Sequence, residues 1–369
     1  MIPVNTPLLN GNERKYLLDC IDTGWISSEG PYISRFEEAF ASRVKRKYAV
    51  AVCNGSVAID VAIGALGLRC GDEIILPTFT IISCAAAIVR AGGTPVVVDS
   101  DPLTWNIDVT KIEEKITSRT KAIMVVHIYG LPVDMDTVFS LAEKYGLKII
   151  EDAAEMHGQT YRQRPCGSLG DISTFSFYPN KHITTGEGGM VVTDDLELAD
   201  RCRSLRNLCF QSGRRFIHNE LGWNFRMTNL QAALGVAQLE RLDEFVNKKR
   251  TMGRRYMELI GDMSEVQLPV PVTNYAENIY WVFGVVLGDE IPFDAVEAMR
   301  RFGEQNIGTR PFFYPMHLQP VFRNLGLFAG VSCPVAERIA ERGFYLPSGL
   351  GLSDDDIVKV ASTFKKLIK

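Results

Sequence analysis

The chain has 369 residues, 46% of them hydrophobic and 23% charged, a globular composition with length for one large domain and a smaller one. The formal net charge is −4, so no global field draws the chain to nucleic acid or to an anionic membrane surface. No apolar run approaches the roughly 18 residues of a membrane span, and the eight cysteines are scattered, without the CxxC pairs of a zinc site. The N-terminal MIPVNTPLLNGNERKYLLDCI has no apolar leader run. A reduced, cytoplasmic protein without a metal centre is expected, with several cysteines used as small buried hydrophobes.

Between about residues 47 and 195, apolar runs alternate with helical patterns. In chain order these are a helix over 56–67 (SVAIDVAIGALG) and strands at 73–77 (EIILP), 94–100 (TPVVVDS) and 121–130 (KAIMVVHIYG). A helix over 135–146 (MDTVFSLAEKYG), closed by a glycine, and strands at 147–154 (LKIIEDAA), 172–177 (ISTFSF) and 188–194 (GGMVVTD) follow. The runs lack the alternation of a half-exposed sheet and read as buried parallel strands. Strand, helix, strand at this spacing implies an α/β fold, a mostly parallel sheet covered on both faces, with ligands bound beyond the strands' carboxyl ends.

Residues 229–260 read as one long amphipathic helix, and the domain change is placed along it near Asp243, giving units 1–243 and 244–369. After the break QLPVPV at 267–272, a strand at 280–287 (YWVFGVVL) and a helix at 294–305 (DAVEAMRRFGEQ) suggest a smaller α+β domain.

The segment STFSFYPNKHITTGEGGMV, residues 173–191, sets Lys181 between a strand and a glycine-rich turn, where a lysine can form a Schiff base with a flat ligand that approaches the backbone closely. A solvated loop lysine is the plain alternative. In EDAAEMHG, Asp152 ends an apolar strand, where its carboxylate can hold a pyridinium nitrogen or can simply cap a helix. Asn54, Gly55 and Ser56 precede a helix whose N–H groups and dipole suit a phosphate, although Ser56 also suits a cap. Ser176 stands close enough to Lys181 in sequence to give a hydroxyl to the same phosphate. The adjacent Arg214 and Arg215 read either as a solvated pair or as a grip on a phosphorylated small molecule.

In this order, these pieces resemble the DegT/StrS-type sugar aminotransferases, pyridoxal 5'-phosphate enzymes of the aspartate aminotransferase fold (fold type I). The resemblance runs through GNERKYLLDCIDTGWISSEGPYISRFEEAFA, AVCNGSVAIDVAIGALG, GDEIILPTFTIIS, EDAAE, GSLGDISTFSFYPNKHITTGEGGMVVT, WNFRMTNLQAALGVAQLERLD and RPFFYPMH, nearly the whole chain. It implies Lys181 as the cofactor-linking lysine and Asp152 as the partner of the pyridine nitrogen. Glu155 falls near the ring hydroxyl, and Gly55, Ser56 and Ser176 fall at the phosphate. Ile81 occupies the position of a ring-stacking residue, aromatic in many relatives. Asn224 matches an asparagine that reaches the phosphate of a neighbouring subunit, so a homodimer with shared active sites is expected.

Relatives with histidine in the lysine position are sugar 3-dehydratases. Here Asn180-Lys181-His182 puts lysine in that place, which favours transamination with L-glutamate as amino donor. Within the family, IGTRPFFYPMHLQP (307–320) is most similar to GDP-perosamine synthases, which aminate C4 of GDP-4-keto-6-deoxymannose. By that similarity Trp25, Arg226, Arg310 and His317 fall at the nucleotide sugar; a packed aromatic turn with a hydrogen-bonded His317 is the alternative. Asn207 to Phe210 depart from the Gly-Gln-Gly run of perosamine synthases, which leaves open another nucleotide sugar or a smaller phosphorylated ketone as acceptor. A regulatory relative without turnover is the remaining alternative, against which the presence of Lys181, Asp152 and Ser176 together argues.

Overall fold

A computed structural model describes residues 1–211, 213–214 and 216–368; Arg215, half of the arginine pair named above, lies outside them. Among the described residues the strands of the main sheet are β1 (Tyr48–Val52), β2 (Glu73–Pro77), β3 (Thr94–Val98), β4 (Thr120–Val126) and β5 (Lys148–Asp152). A small hairpin, β6 (Thr160–Tyr161) and β7 (Arg164–Pro165), precedes its last strands, β8 (Ile172–Ser176) and β9 (Gly189–Thr193). The sheet order is β1-β9-β8-β5-β4-β2-β3, and β3, β2, β4, β5 and β8 pair in parallel.

The run at 188–194 is expected to be parallel and is not. β9 lies antiparallel to both β8 and β1. Residues 177–188 join β8 to β9 without the crossover helix that a parallel return needs, so the chain doubles back. That doubling back forms the loop that carries Lys181. β1 belongs to no run singled out in the sequence.

Both faces of the sheet are buried, which explains why its strands are mostly apolar. In β4, Ile123 and Val125 join a core with Phe36, Phe40, Val236 and Phe245, while Ala122, Met124 and Val126 join another with Ile59, Ala62, Cys84 and Ile88. The helix Met135–Tyr145 ends as the sequence indicates, on Gly146 at φ 65°.

Residues 229–260 form two helices, Asn229–Leu239 and Leu242–Ile260, in place of the single one expected. The first opens in a capping box, Thr228 Oγ1 accepting from the Gln231 N–H at 3.2 Å and Gln231 Oε1 accepting from the Thr228 N–H at 2.9 Å. The corner at Glu240–Arg241 holds neither glycine nor proline. Tertiary contacts fix it: the Glu240 carboxylate accepts from Tyr16 Oη and Asn12 Nδ2, each at 2.7 Å. Beyond the corner the second helix begins in the first core with Leu242 and Phe245 and ends in a third with Tyr256 and Ile260. That third core also takes Phe283, Phe302, Phe344 and Phe364. It lies under an antiparallel sheet of β10 (Val266–Gln267), β11 (Phe283–Leu287), β12 (Arg310–Pro311) and β13 (Gly343–Leu346), in the order β10-β11-β13-β12.

Candidate active site

Lys181 and His182 are adjacent and point to different places. The Lys181 Nζ lies 3.7 Å from Glu155 Oε1 and 3.7 Å from the centre of the Trp281 ring, its side chain still 10% exposed. His182 is buried in the core, its Nε2 facing the Ile279 carbonyl at 3.4 Å, and burial holds its ring well below the usual histidine range. The lysine is therefore the one available to a ligand.

Asp152 ends β5, with Oδ1 accepting from the Ala154 N–H at 3.0 Å and Oδ2 from the Cys84 thiol at 3.4 Å. No helix follows, so Asp152 is not a helix cap. Burial raises its carboxyl above the ordinary value, and these two donors together with Lys181 pull it back. Glu155 accepts from the Tyr129 N–H at 2.7 Å, and burial pushes it up to about 8 against the pull of Lys181. Burial lowers the Lys181 amine in turn. The pair accordingly shares a proton as neutral amine and neutral acid more readily than two exposed groups would.

At the carboxyl end of β1, the Asn54 side chain accepts from the Val57 N–H at 3.0 Å and caps the helix Gly55–Ala65. Ser56, free of that duty, is exposed and pairs with Ser83 Oγ at 2.7 Å. Gly55 packs so closely that a Cβ there would lie 2.5 Å from the Ser176 Cβ. Hydroxyls and helix N–H groups thus gather into one cradle from two strand ends. Ile81 stands 44% exposed at the start of the helix Ile82–Arg90, an apolar side chain open to a ring. The donor set fits pyridoxal phosphate: an amine, a buried carboxylate at a strand end, an anion cradle and an open apolar contact.

The expected substrate residues fall in several places. Arg310 is exposed on β12 and shares a cleft of about 210 Å³ with Tyr178, Asn180, Trp281 and Tyr345, beside the lysine loop. His317 is a correction: it is 1% exposed, with Nδ1 at 2.7 Å from Thr78 Oγ1 and Nε2 at 2.9 Å from Glu337 Oε1, so both ring nitrogens are used and no open face remains. Arg226 donates to Ser28 Oγ at 3.1 Å and to Asn207 Oδ1 at 2.5 Å, in a separate cleft of about 280 Å³ with Arg203 and Arg206. Asn224 and Trp25 are exposed, away from any bond to Lys181. In the departing segment Leu208 and Cys209 take φ of 58° and 49°, left-handed values that glycine adopts freely.

Four contacts were not foreseen: the Trp281 ring over Lys181, the Tyr129 amide on Glu155, the Cys84 thiol on Asp152 and the Ser83 hydroxyl on Ser56. Trp281 lies in an apolar run whose signal is that of a strand. Nearby, His127, Glu151 and Cys166 converge in the core. The Glu151 carboxylate there accepts from the Leu169 and Gly170 amides and from Ser173 Oγ, which fixes the turn before β8.

Residues 7–365 match the DegT/DnrJ/EryC1/StrS aminotransferase family. The chain belongs to this family. The aminotransferase is 42% identical to a GDP-perosamine synthase of Vibrio cholerae, the match covering 99% of this chain and 98% of that one. It is 41% identical to a GDP-perosamine synthase of Caulobacter vibrioides, over 100% and 98%. Among solved structures, the aminotransferase TlmJ from Streptoalloteichus hindustanus superposes with a TM-score of 0.91 at 30% identity, over 100% and 98% of the two chains. Fold type I and pyridoxal-phosphate-dependent transamination follow from this membership. Among the described residues no helix is long and apolar enough to cross a membrane.

Proposed function

We propose that this aminotransferase transfers the amino group of L-glutamate to C4 of GDP-4-keto-6-deoxymannose. The observation that carries the reading is the orientation of Lys181 toward Glu155, with His182 turned into the core. The naming of two full-length relatives as GDP-perosamine synthases supports the acceptor over a smaller phosphorylated ketone.

Bound pyridoxal phosphate supplies a carbonyl for amine exchange and a ring that withdraws electrons from the reacting carbon. Lys181 Nζ would hold the cofactor and, as a free amine, would take and return the proton at the reacting carbon. Asp152 keeps a proton on the ring nitrogen, its own placement fixed by Ala154 and Cys84. Glu155 exchanges a proton with Lys181 and would serve the ring hydroxyl. Gly55, Ser56 and Ser176 would bind the phosphate, with Asn224 of a second protomer completing that site, and Ile81 would make the apolar contact with the ring. Arg310, Arg226 and Trp25 serve the nucleotide sugar, whereas His317 positions the strand end at Thr78. Residues 1–243 hold the cofactor and 244–369 contribute the covering unit, a division supported by the separate third core. The cytoplasm, which holds the nucleotide sugar and glutamate, is the compartment implied.

Incubation with pyridoxal phosphate, L-glutamate and GDP-4-keto-6-deoxymannose should give 2-oxoglutarate and a GDP-linked 4-amino sugar by mass spectrometry. Amination of another nucleotide's keto-sugar, with the GDP compound untouched, would overturn the acceptor.

A further inference from the structure

We propose that Lys249 is a positioning residue for Lys181, acting through Trp281. This rests on Lys181 being the reacting amine. Lys249 lies on the helix Leu242–Ile260 and is 2% exposed. Its Nζ donates to the Trp281 carbonyl at 2.9 Å and to the Ser348 carbonyl, so both partners are neutral. The ring of the same Trp281 covers Lys181 Nζ at 3.7 Å, and its Nε1 donates to the carbonyl of Asn180 at 2.8 Å, the residue before Lys181. Through Trp281 two routes thus tie the helix to the reacting amine, the ring contact with Lys181 and the bond to Asn180.

A buried ammonium without a carboxylate is expensive, and an apolar side chain of similar volume would cost less, so its presence calls for a use. Burial and the charge of Lys181 push Lys249 down to about 7. The other ionisable groups about Lys181 are Asp152 and Glu155, which draw a proton onto it, and His157 and His182. Burial pushes His157 down to about 3 and His182 well below its ordinary value, leaving both rings neutral. The charge of Lys181 makes Lys249 the first of the two to lose its proton, so Lys249 acts on Lys181 by holding Trp281 in place over it.

The test follows both lysines by NMR in cofactor-free protein with 13C at lysine Cε, across a pH titration. Lys249→Met should loosen the Trp281 ring that shields Lys181 from water and so raise the Lys181 midpoint by about one pH unit, about tenfold in proton affinity, and Lys249→Arg should return it toward wild type. Coupling is reciprocal, so Lys181→Ala should raise the Lys249 midpoint. The Trp281 indole N–H resonance, assigned with Trp281→Phe, should move in Lys249→Met and hold in Lys249→Arg. An unchanged Lys181 midpoint in folded Lys249→Met, or an unchanged Lys249 midpoint in Lys181→Ala, overturns the proposal; the second arm decides alone if Lys249→Met does not fold. Amination is not read, so failure of the proposed function and failure of the coupling give separate results.

Discussion

Lys181 Nζ and Glu155 Oε1 face each other at 3.7 Å inside a crevice at the strand ends, each shifted by burial toward its neutral form. An amine and an acid so placed can exchange a proton at small cost, whereas the same pair in water would remain ionised. The consequence is measurable without cofactor. Because Glu155 is raised from 4.5 to about 8, the native state holds more proton than the unfolded state in that window, and the contribution to stability falls as pH rises through it. Glu155→Gln has no such proton, so its stability relative to wild type should improve between about pH 5 and about pH 8 in urea unfolding. A relative stability that declines with pH would contradict the raised carboxyl.

Gly55 sets the depth of the anion cradle. Alanine there would drive its Cβ to 2.5 Å from the Ser176 Cβ and 2.8 Å from its hydroxyl, displacing Ser176. Gly55→Ala should weaken pyridoxal phosphate binding by about tenfold, roughly one charge-assisted hydrogen bond, measured by equilibrium dialysis. Retained affinity would remove Ser176 from the phosphate.

His317 and Arg310 should separate stability from substrate binding. His317→Ala strips partners from Thr78 and Glu337 and should cost about 2 kcal/mol in thermal or urea unfolding. Arg310→Ala, at an exposed position, should leave unfolding within about 0.5 kcal/mol of wild type while raising KM for the nucleotide sugar. The opposite pattern would return His317 to the substrate.

Leu208 and Cys209 hold left-handed backbone at φ of 58° and 49°. Glycine, which usually weakens a protein, should here be neutral or stabilising by about 1 kcal/mol per site, read as the melting temperature of Leu208→Gly. A clear loss would mean that the Leu208 side chain contributes more than the strain it introduces.

The boundaries of β2, and the runs that become β3, β4, β5, β8 and β9, could be read from the sequence because a sheet covered on both faces shows near-continuous apolar runs, whereas β1 is not singled out. The direction of β9 could not, since orientation is set by the connection and the Lys181 loop carries no helix to mark. Asp152, Lys181 and the cradle at Gly55 are readable because strand ends and glycine turns leave a local pattern. Trp281, Cys84 and Lys249 are not, because they reach the site only by tertiary packing from elements whose local sequences look like ordinary core. The corner at Glu240 is hidden for the same reason: its partners, Tyr16 and Asn12, lie far away in sequence.

The most direct test of the central claim compares wild type and Lys181→Ala by absorbance with pyridoxal phosphate, then with L-glutamate. In wild type the visible cofactor band should form, decay on adding glutamate and return on adding GDP-4-keto-6-deoxymannose. In Lys181→Ala the amine-dependent band should be missing and turnover abolished, with the fold intact by circular dichroism. Near-normal amine transfer by that variant would contradict the account.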